Sequence, residues 1–366
     1  ISLVLQAEEQ VKAIIEELAA TNPEEGDAAR IAKVYRSWMD TEAANAKGTE
    51  PLQADLALID GAQNKDELAA VIGTLKATGV GTFFAMDVDS DLNDPNRYVT
   101  FLGQSGIGLP DEPYYRETQF ADVLEKYTAF VPSCLAVGYG LSEEEAKVEA
   151  SVVINMETEI AAKHMNVVDS RDTDKINNPM TWSAFTASAP GFGWDAAVEG
   201  AGFAPGQLAD VLVMTPAALA GAAQIWAERS LDDLKAYTRW RLLRSRATVL
   251  TEEIDRASFD FYGRVLSGTD EQRDRWKRGI QLVNGSLGEA IGKIYVERHF
   301  PAEHKAKMEV LVADLLEAYR RSIRSLDWMG EETKKRALEK VDSFELKIGY
   351  PDKWLDYSSM EIGDDL

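Results

Sequence analysis

Apolar positions recur with the period of a helix over most of the chain. Val11, Ile14, Ile15 and Leu18 fall at i, i+3, i+4 and i+7 with Glu and Lys between them, which predicts one inward stripe on a helix near residues 8–20. Asn22 and Pro23 end that helix. Residues 29–46 read as a second helix closed by Gly48, and residues 66–77 as a third closed by Gly79. Much later, Met308, Leu311, Val312, Leu315, Tyr319, Ile323 and Leu326 sustain one stripe over several turns, and a further helix is predicted over residues 331–343.

One region leaves this rhythm. Residues 82–86 and 97–101 are short β-favouring runs separated by an Asp/Asn/Pro-rich loop, which predicts a hairpin over roughly residues 82–102. Residues 103–113 supply glycines and prolines in close succession and read as an ordered irregular segment, and residues 188–206 as a loop or a set of short turns. No internal repeat or low-complexity tract appears. The fold class expected is therefore mainly α with a minor β-hairpin. Two long charge-free stretches, residues 176–194 and 211–227, do not read as membrane spans: the first is broken by Asn177, Asn178, Pro179 and Pro190, and the second is short and contains Gln224. Thr215 followed by Pro216 looks like an N-cap and first-turn proline, so the Ala-rich run after it is expected to be a buried helix.

Composition fits a globular chain: of 366 residues, 45% are hydrophobic and 28% charged, so a sizeable core is possible. The balance is acidic, with 62 Asp+Glu against 39 Lys+Arg and a formal net charge of -23. Such a surface repels nucleic acid and anionic lipid, so neither is an expected partner. The single cysteine, Cys134, allows no intramolecular disulfide and reads as a small core residue. Ile1 falls inside a folded-looking segment and Leu366 follows an acidic loop, so both ends are expected to be internal to a longer polypeptide. Cytoplasmic and exported locations both remain open on this ground.

Candidate chemistry is sparse. Asp87, Asp89, Asp91 and Asn93 alternate like the start of a calcium loop, but that loop needs Gly at its sixth position and Glu at its twelfth. Counting from Asp87 these are Leu92 and Tyr98; counting from Asp89 they are Asp94 and Thr100, so a solvated hairpin loop is the better reading. The three histidines are His164, His299 and His304. A hydrolytic zinc site needs two His four apart on one helix face with a Glu beside the first. His299 and His304 are five apart with Pro301 between them, and His164 stands alone. No Gly-x-Ser-x-Gly elbow marks a nucleophile, and Gly106 and Gly108 lack the third glycine of a nucleotide fingerprint. The residues themselves therefore offer no catalytic residue, no metal ligand and no identified substrate-binding residue.

Five blocks, in order and spread over nearly the whole chain, resemble the neprilysin-like zinc metallopeptidases (peptidase family M13), in particular the soluble bacterial members. They are Val34-Tyr35-Arg36-Ser37-Trp38-Met39-Asp40 with Gly48-Thr49-Glu50-Pro51-Leu52; Gly106-Ile107-Gly108-Leu109-Pro110-Asp111-Glu112-Pro113-Tyr114-Tyr115; Arg171-Asp172 with Asn178-Pro179-Met180-Thr181; Asn284-Gly285-Ser286-Leu287-Gly288-Glu289 through Val296 to His299-Phe300-Pro301; and Leu326-Asp327-Trp328-Met329 with Glu332-Thr333-Lys334-Lys335-Arg336-Ala337 and Gly349-Tyr350-Pro351. Two departures stand out: the family's Arg-Asp before the Tyr-Tyr pair is Glu112-Pro113, and its Tyr before Asn-x-Met-Thr is Asn177. Trp328, Met329 and the Gly349-Tyr350-Pro351 turn read as core packing and chain reversal.

The resemblance implies one part of a two-lobed zinc metalloendopeptidase cleaving small peptides before hydrophobic residues. It places the family's zinc ligands and general base beyond position 366, so zinc would belong to the full-length enzyme and not to this segment, which is expected to be inactive alone. Residues 1–48 would be N-terminal helices partly associated with the catalytic lobe, residues 49–343 a mainly helical lobe roofing the cavity, and residues 344–366 the start of the connection. The expected partners are peptide substrates and the C-terminal catalytic lobe. The alternative is a non-catalytic helical binding or scaffold module ending near residue 366.

Overall fold

The computed structural model describes residues 2–363; Ile1 and Leu366, read above as cut ends, lie outside the described residues. In chain order the elements are α1 (Ser2–Thr21), α2 (Gly26–Met39), α3 (Thr41–Lys47), α4 (Gln53–Gly61), α5 (Lys65–Ala77), β1 (Phe84–Ser90), β2 (Tyr98–Gln104), α6 (Ala121–Tyr139), α7 (Glu143–Ala161), α8 (Thr173–Ile176), β3 (Pro179–Thr181), α9 (Trp182–Ser188), α10 (Trp194–Gly200), β4 (Asp210–Val213), α11 (Pro216–Glu228), α12 (Leu231–Arg246), α13 (Glu252–Ser258), a π-helix (Phe259–Leu266), α14 (Arg275–His299), α15 (Ala302–Ser325) and α16 (Glu331–Asp342). No helix among the described residues is long and apolar enough to cross a membrane. The chain divides into two compact units, residues 1–40 with 273–366 and residues 41–272. These boundaries do not coincide with the breaks at 48 and 343 expected from the sequence.

In the discontinuous unit, α1, α2 and α14 share one core. Ile14, Ile15 and Leu18 of α1 are buried among Ile31, Ala32 and Tyr35 of α2 and Ile280, Val283 and Leu287 of α14, with Val11 half-buried at the edge. The α1 stripe is thus covered within its own unit. Trp38 closes the far end: its indole donates to the Arg275 carbonyl at 2.9 Å, and the Arg275 guanidinium lies 4.5 Å from the indole ring centre. Gly279 is required here, since a Cβ would come within 2.7 Å of the Trp38 ring. α14 bends at Leu287, whose φ of -132° and ψ of 36° leave helical space. The bend frees the Glu289 amide, which donates to the Tyr357 hydroxyl at 3.2 Å, and the Glu289 carboxylate accepts from the Leu355 amide. Arg30 then binds the carbonyls of Ser358 and Met360, so the segment after Gly349 lies pinned along the core.

The continuous unit carries the larger core. The predicted hairpin forms, with β1 and β2 antiparallel from Phe84↔Gln104 to Ser90↔Tyr98. It belongs to a four-stranded sheet in the order β1-β2-β4-β3, in which β2 and β4 run parallel and β3 and β4 antiparallel. Asp87 and Asp89 lie in strand β1 and not in the loop as expected. Asp91 organises the turn: it accepts from the Asn93 amide at 2.8 Å and from Arg97 Nε at 2.7 Å, and these bonds hold its carboxyl below the usual range. Behind the sheet, Phe83, Phe84, Phe192, Trp194, Trp226 and Tyr237 form a connected aromatic cluster with edge-on contacts near 5 Å.

Four further expectations change. The helix over residues 29–46 breaks at Asp40 into α2 and α3. The stretch 188–206 contains α10, with Trp194, Ala197 and Val198 buried. Thr215 and Pro216 do start α11, but the Thr215 hydroxyl accepts from the Gln104 amide at 2.8 Å and does not cap the helix. Trp328, read as core packing, is 74% exposed.

Candidate functional site

The histidines do not converge. His164 follows α7, and its Nε2 donates to the Ser105 carbonyl at 3.0 Å; burial pulls its pKa below the usual value. His299 ends α14, its ring 5.1 Å from that of Tyr295. His304 lies in the first turn of α15, exposed and 3.8 Å from its neighbour Glu303. Among the described residues no group of three or more His, Cys, Asp or Glu side chains could hold a metal ion. The donor set therefore does not fit a zinc with three protein ligands.

The densest polar chemistry surrounds Glu157, which is wholly buried in α7. Its carboxylate accepts from Tyr115 at 2.7 Å, from Tyr127 at 2.9 Å and from the Trp240 indole at 3.3 Å, and Arg241 lies 3.8 Å away. Burial first, and the Glu157 charge second, hold the Tyr115 and Tyr127 phenols well above their ordinary pKa, so both remain donors at any physiological pH.

This network clamps the second sequence block. The Tyr115 hydroxyl accepts from the amides of Gly108 and Leu109 at 2.9 and 3.0 Å. Tyr237 donates to the Gly106 carbonyl, Arg241 to that of Ile107 and Arg244 to that of Gly108. Gly106 has a φ of +98°, and a Cβ on Gly108 would stand 1.8 Å from the Tyr127 hydroxyl. The glycines are there for close approach, not for a nucleotide. The cluster thus fixes the backbone of residues 106–109.

Residues of the other blocks make local contacts. Asp172 caps α8 and Thr181 caps α9. Asn177, standing where the family has Tyr, pairs its amide with that of Asn93 at 2.9 Å in both directions. Glu112, the other departure, is buried and binds Arg116 through both carboxylate oxygens. Tyr350 stacks on Trp354 and meets Phe300 edge-on. The surface also carries open clefts. One of about 880 Å³ lies beside Asn45, Tyr139, Glu252 and Asp260, and another of about 790 Å³ beside Glu289, Lys305, Tyr350 and Asp352.

Sequence reasoning did not single out Glu157, Tyr127, Trp240 or Arg241. A signal was present: Val153, Met156, Glu157 and Ile160 occupy one helical stripe in which a carboxylate replaces an apolar residue, and Arg241 does the same after Leu234, Tyr237 and Thr238.

The fold and its interior thus define a mainly helical, two-unit body whose buried polar cluster is architectural. Peptidase family M13 matches residues 2–351, and the chain belongs to that family. Over its whole length it resembles the open state of the Mycobacterium tuberculosis zinc metalloprotease Zmp1, with 42% identity and a TM-score of 0.93, covering 57% of that chain. It is 29% identical to a putative zinc metalloproteinase of Streptococcus gordonii, over 94% of this chain and 60% of the relative. It is 27% identical to human neprilysin, over 87% of this chain and 46% of the relative. The chain spans about half the length of the curated relatives it matches.

Proposed function

We propose that this chain is the helical part of a zinc metalloendopeptidase that acts on small peptides, and that the zinc, its ligands and the general base belong to other residues of the same enzyme. The observation that carries this reading is the family match along residues 2–351 set against a histidine set that cannot gather around a metal. The helical body restricts entry to the cavity, so the enzyme takes peptides and leaves folded proteins intact. Cleavage falls before hydrophobic residues. The chain by itself is inactive, because it supplies architecture and neither a nucleophile nor oxyanion stabilisation.

The test uses the enzyme at its natural length and residues 1–366 expressed alone. The full enzyme is expected to contain one zinc and to hydrolyse a fluorogenic peptide with a hydrophobic residue after the scissile bond, with chelator removing the activity. The 366-residue chain is expected to give neither zinc nor turnover. Chelator-sensitive turnover by the short chain overturns the division of labour, and a zinc-free, inactive full-length protein overturns the enzyme reading in favour of a helical binding module.

A further inference from the structure

Strands β1 and β3 form the two edges of the four-stranded sheet. An edge strand presents a row of backbone N–H and C=O groups with which another strand can pair. β3 has three residues, begins with Pro179, which carries no N–H, and passes directly into α9, so it offers little to a newcomer. β1 is different. It has seven residues, and from Asp87 to Ser90 each one is exposed. Val88 is 52% exposed, and Tyr98, which stands opposite Ser90 in the register, is 76% exposed. Both are strand-favouring side chains that an added strand would cover.

Two carboxylates occupy the donors of this edge. In an antiparallel pair, successive residues point their amides alternately at the partner strand and away from it. The Asp91 amide points inward, since it donates to the Arg97 carbonyl at 3.0 Å. By that alternation the amides of Val88 and Ser90 point outward. The Val88 amide donates to Asp87 Oδ1 at 2.8 Å, and the Ser90 amide donates to Asp89 Oδ1 at 2.6 Å. Each outward amide in the exposed part of β1 is therefore taken by the side chain of the residue before it. The strand always at hand to add here is β1 of another copy, because twofold antiparallel pairing gives both copies the same contacts. We propose that Asp87 and Asp89 hold the β1 edge shut against antiparallel pairing with a second copy of this chain, each by capping the amide that follows it. The net charge of -23 also keeps copies apart, but salt screens that repulsion, whereas it leaves a hydrogen-bonded cap in place.

The test uses the protein at its natural length in about 1 M sodium chloride, where the screening length falls to about 3 Å. Asp87→Thr with Asp89→Thr removes both caps and leaves strand-favouring side chains. Asp87→Asn with Asp89→Asn removes the charges and keeps an oxygen acceptor at each position. Mass is read by light scattering from dilute to concentrated solution, and hydrogen exchange is read on the peptide holding residues 84–91. The parent protein and the Asn pair are expected to keep one mass throughout. The Thr pair is expected to rise to twice the parent mass, with exchange at Val88 and Ser90 slowed in the concentrated sample. A Thr pair that stays at the parent mass, or that doubles without slower exchange in this peptide, overturns the proposal. So does an Asn pair that doubles as the Thr pair does, because the retained acceptor is then not what closes the edge. A parent protein already paired through β1 overturns it as well. Exchange over α7 in the same samples reports whether each variant is folded; should the Thr pair not fold, Asp89→Thr alone carries the same expectation.

Discussion

Helices α7 and α15 both carry long apolar stripes, but α7 buries Ala146, Ala150, Val153, Met156, Glu157, Ile160 and Ala161, while α15 buries nothing. The difference lies in what each helix meets. α7 packs against α6, α11 and α12 within its unit, whereas α15 meets the short α16 and, through Lys305, the turn at Tyr350 and Asp352. Amphipathic periodicity identifies a face that will be buried; it does not say by what. α7 also shows that a well-covered face can admit a carboxylate if donors surround it, since Tyr115, Tyr127 and Trp240 all point at Glu157.

The largest expected effect is at that carboxylate. Glu157→Ala removes the shared acceptor and leaves Arg241 and two phenols facing a cavity. Loss of one partner from a buried charged cluster costs about 3–5 kcal/mol. Urea unfolding of the 366-residue chain measures this, and Cys134 reports it. The thiol is buried and its pKa is pushed up to about 12 by burial, so it should react with a disulfide reagent only after the unit around it opens. A midpoint for Glu157→Ala no lower than that of a surface variant would remove the network from its architectural role.

Next comes the core of the discontinuous unit. Ile15→Ala deletes a side chain with no exposure at the junction of α1, α2 and α14, at a cost of roughly 2–5 kcal/mol. Hydrogen exchange should show α1, α2 and α14 losing protection together. Loss confined to α1 would mean that the first helix merely lies on its neighbours.

Much of this comparison was legible in the sequence. The α1 stripe, the hairpin and the Thr215-Pro216 start of α11 follow from period and punctuation, which act within a few residues. β3 and β4 have only three and four residues, too few to establish a period of two, and exist because β2 supplies a partner for β4. The break at Asp40 carries neither Gly nor Pro, so nothing local announces it. The π-helix over Phe259–Leu266 is held by tertiary contacts, Phe261 stacking on Phe130 at 5.0 Å and Tyr262 accepting from Arg244. The candidate site was hardest of all. Residues 103–113 read as ordered, but the clamps on them come from α6, α7 and α12, and no spacing rule links them.

A smaller effect belongs to the cap of α7. Ser142 accepts from the Glu145 amide while the Glu145 side chain accepts from the Ser142 amide, a complete capping box. Ser142→Ala should cost about 1 kcal/mol, visible as a small shift of the urea midpoint with an unchanged slope. No shift would mean that tertiary burial of α7 alone sets where the helix begins.

The smallest expected effect is the one that sharpens the contrast most. Leu315→Ser on α15 removes a large apolar side chain, and at a covered position such a change costs several kcal/mol through lost transfer energy and the cavity left behind. Leu315 is already half in water, so little transfer energy is lost and no cavity forms. In the 366-residue chain the substitution should therefore change stability by no more than about 0.5 kcal/mol. Its solubility should rise, because the exposed stripe is interrupted. Leu243→Ser supplies the contrasting case: Leu243 has no exposure, and a Cβ added to Gly138 would already press on it at 2.5 Å. That substitution also buries an unpaired hydroxyl and should cost several times more. Equal losses at 315 and 243 would mean that α15 is packed as tightly as α12. A loss at 243 alone means that the α15 stripe contributes little to the stability of this chain.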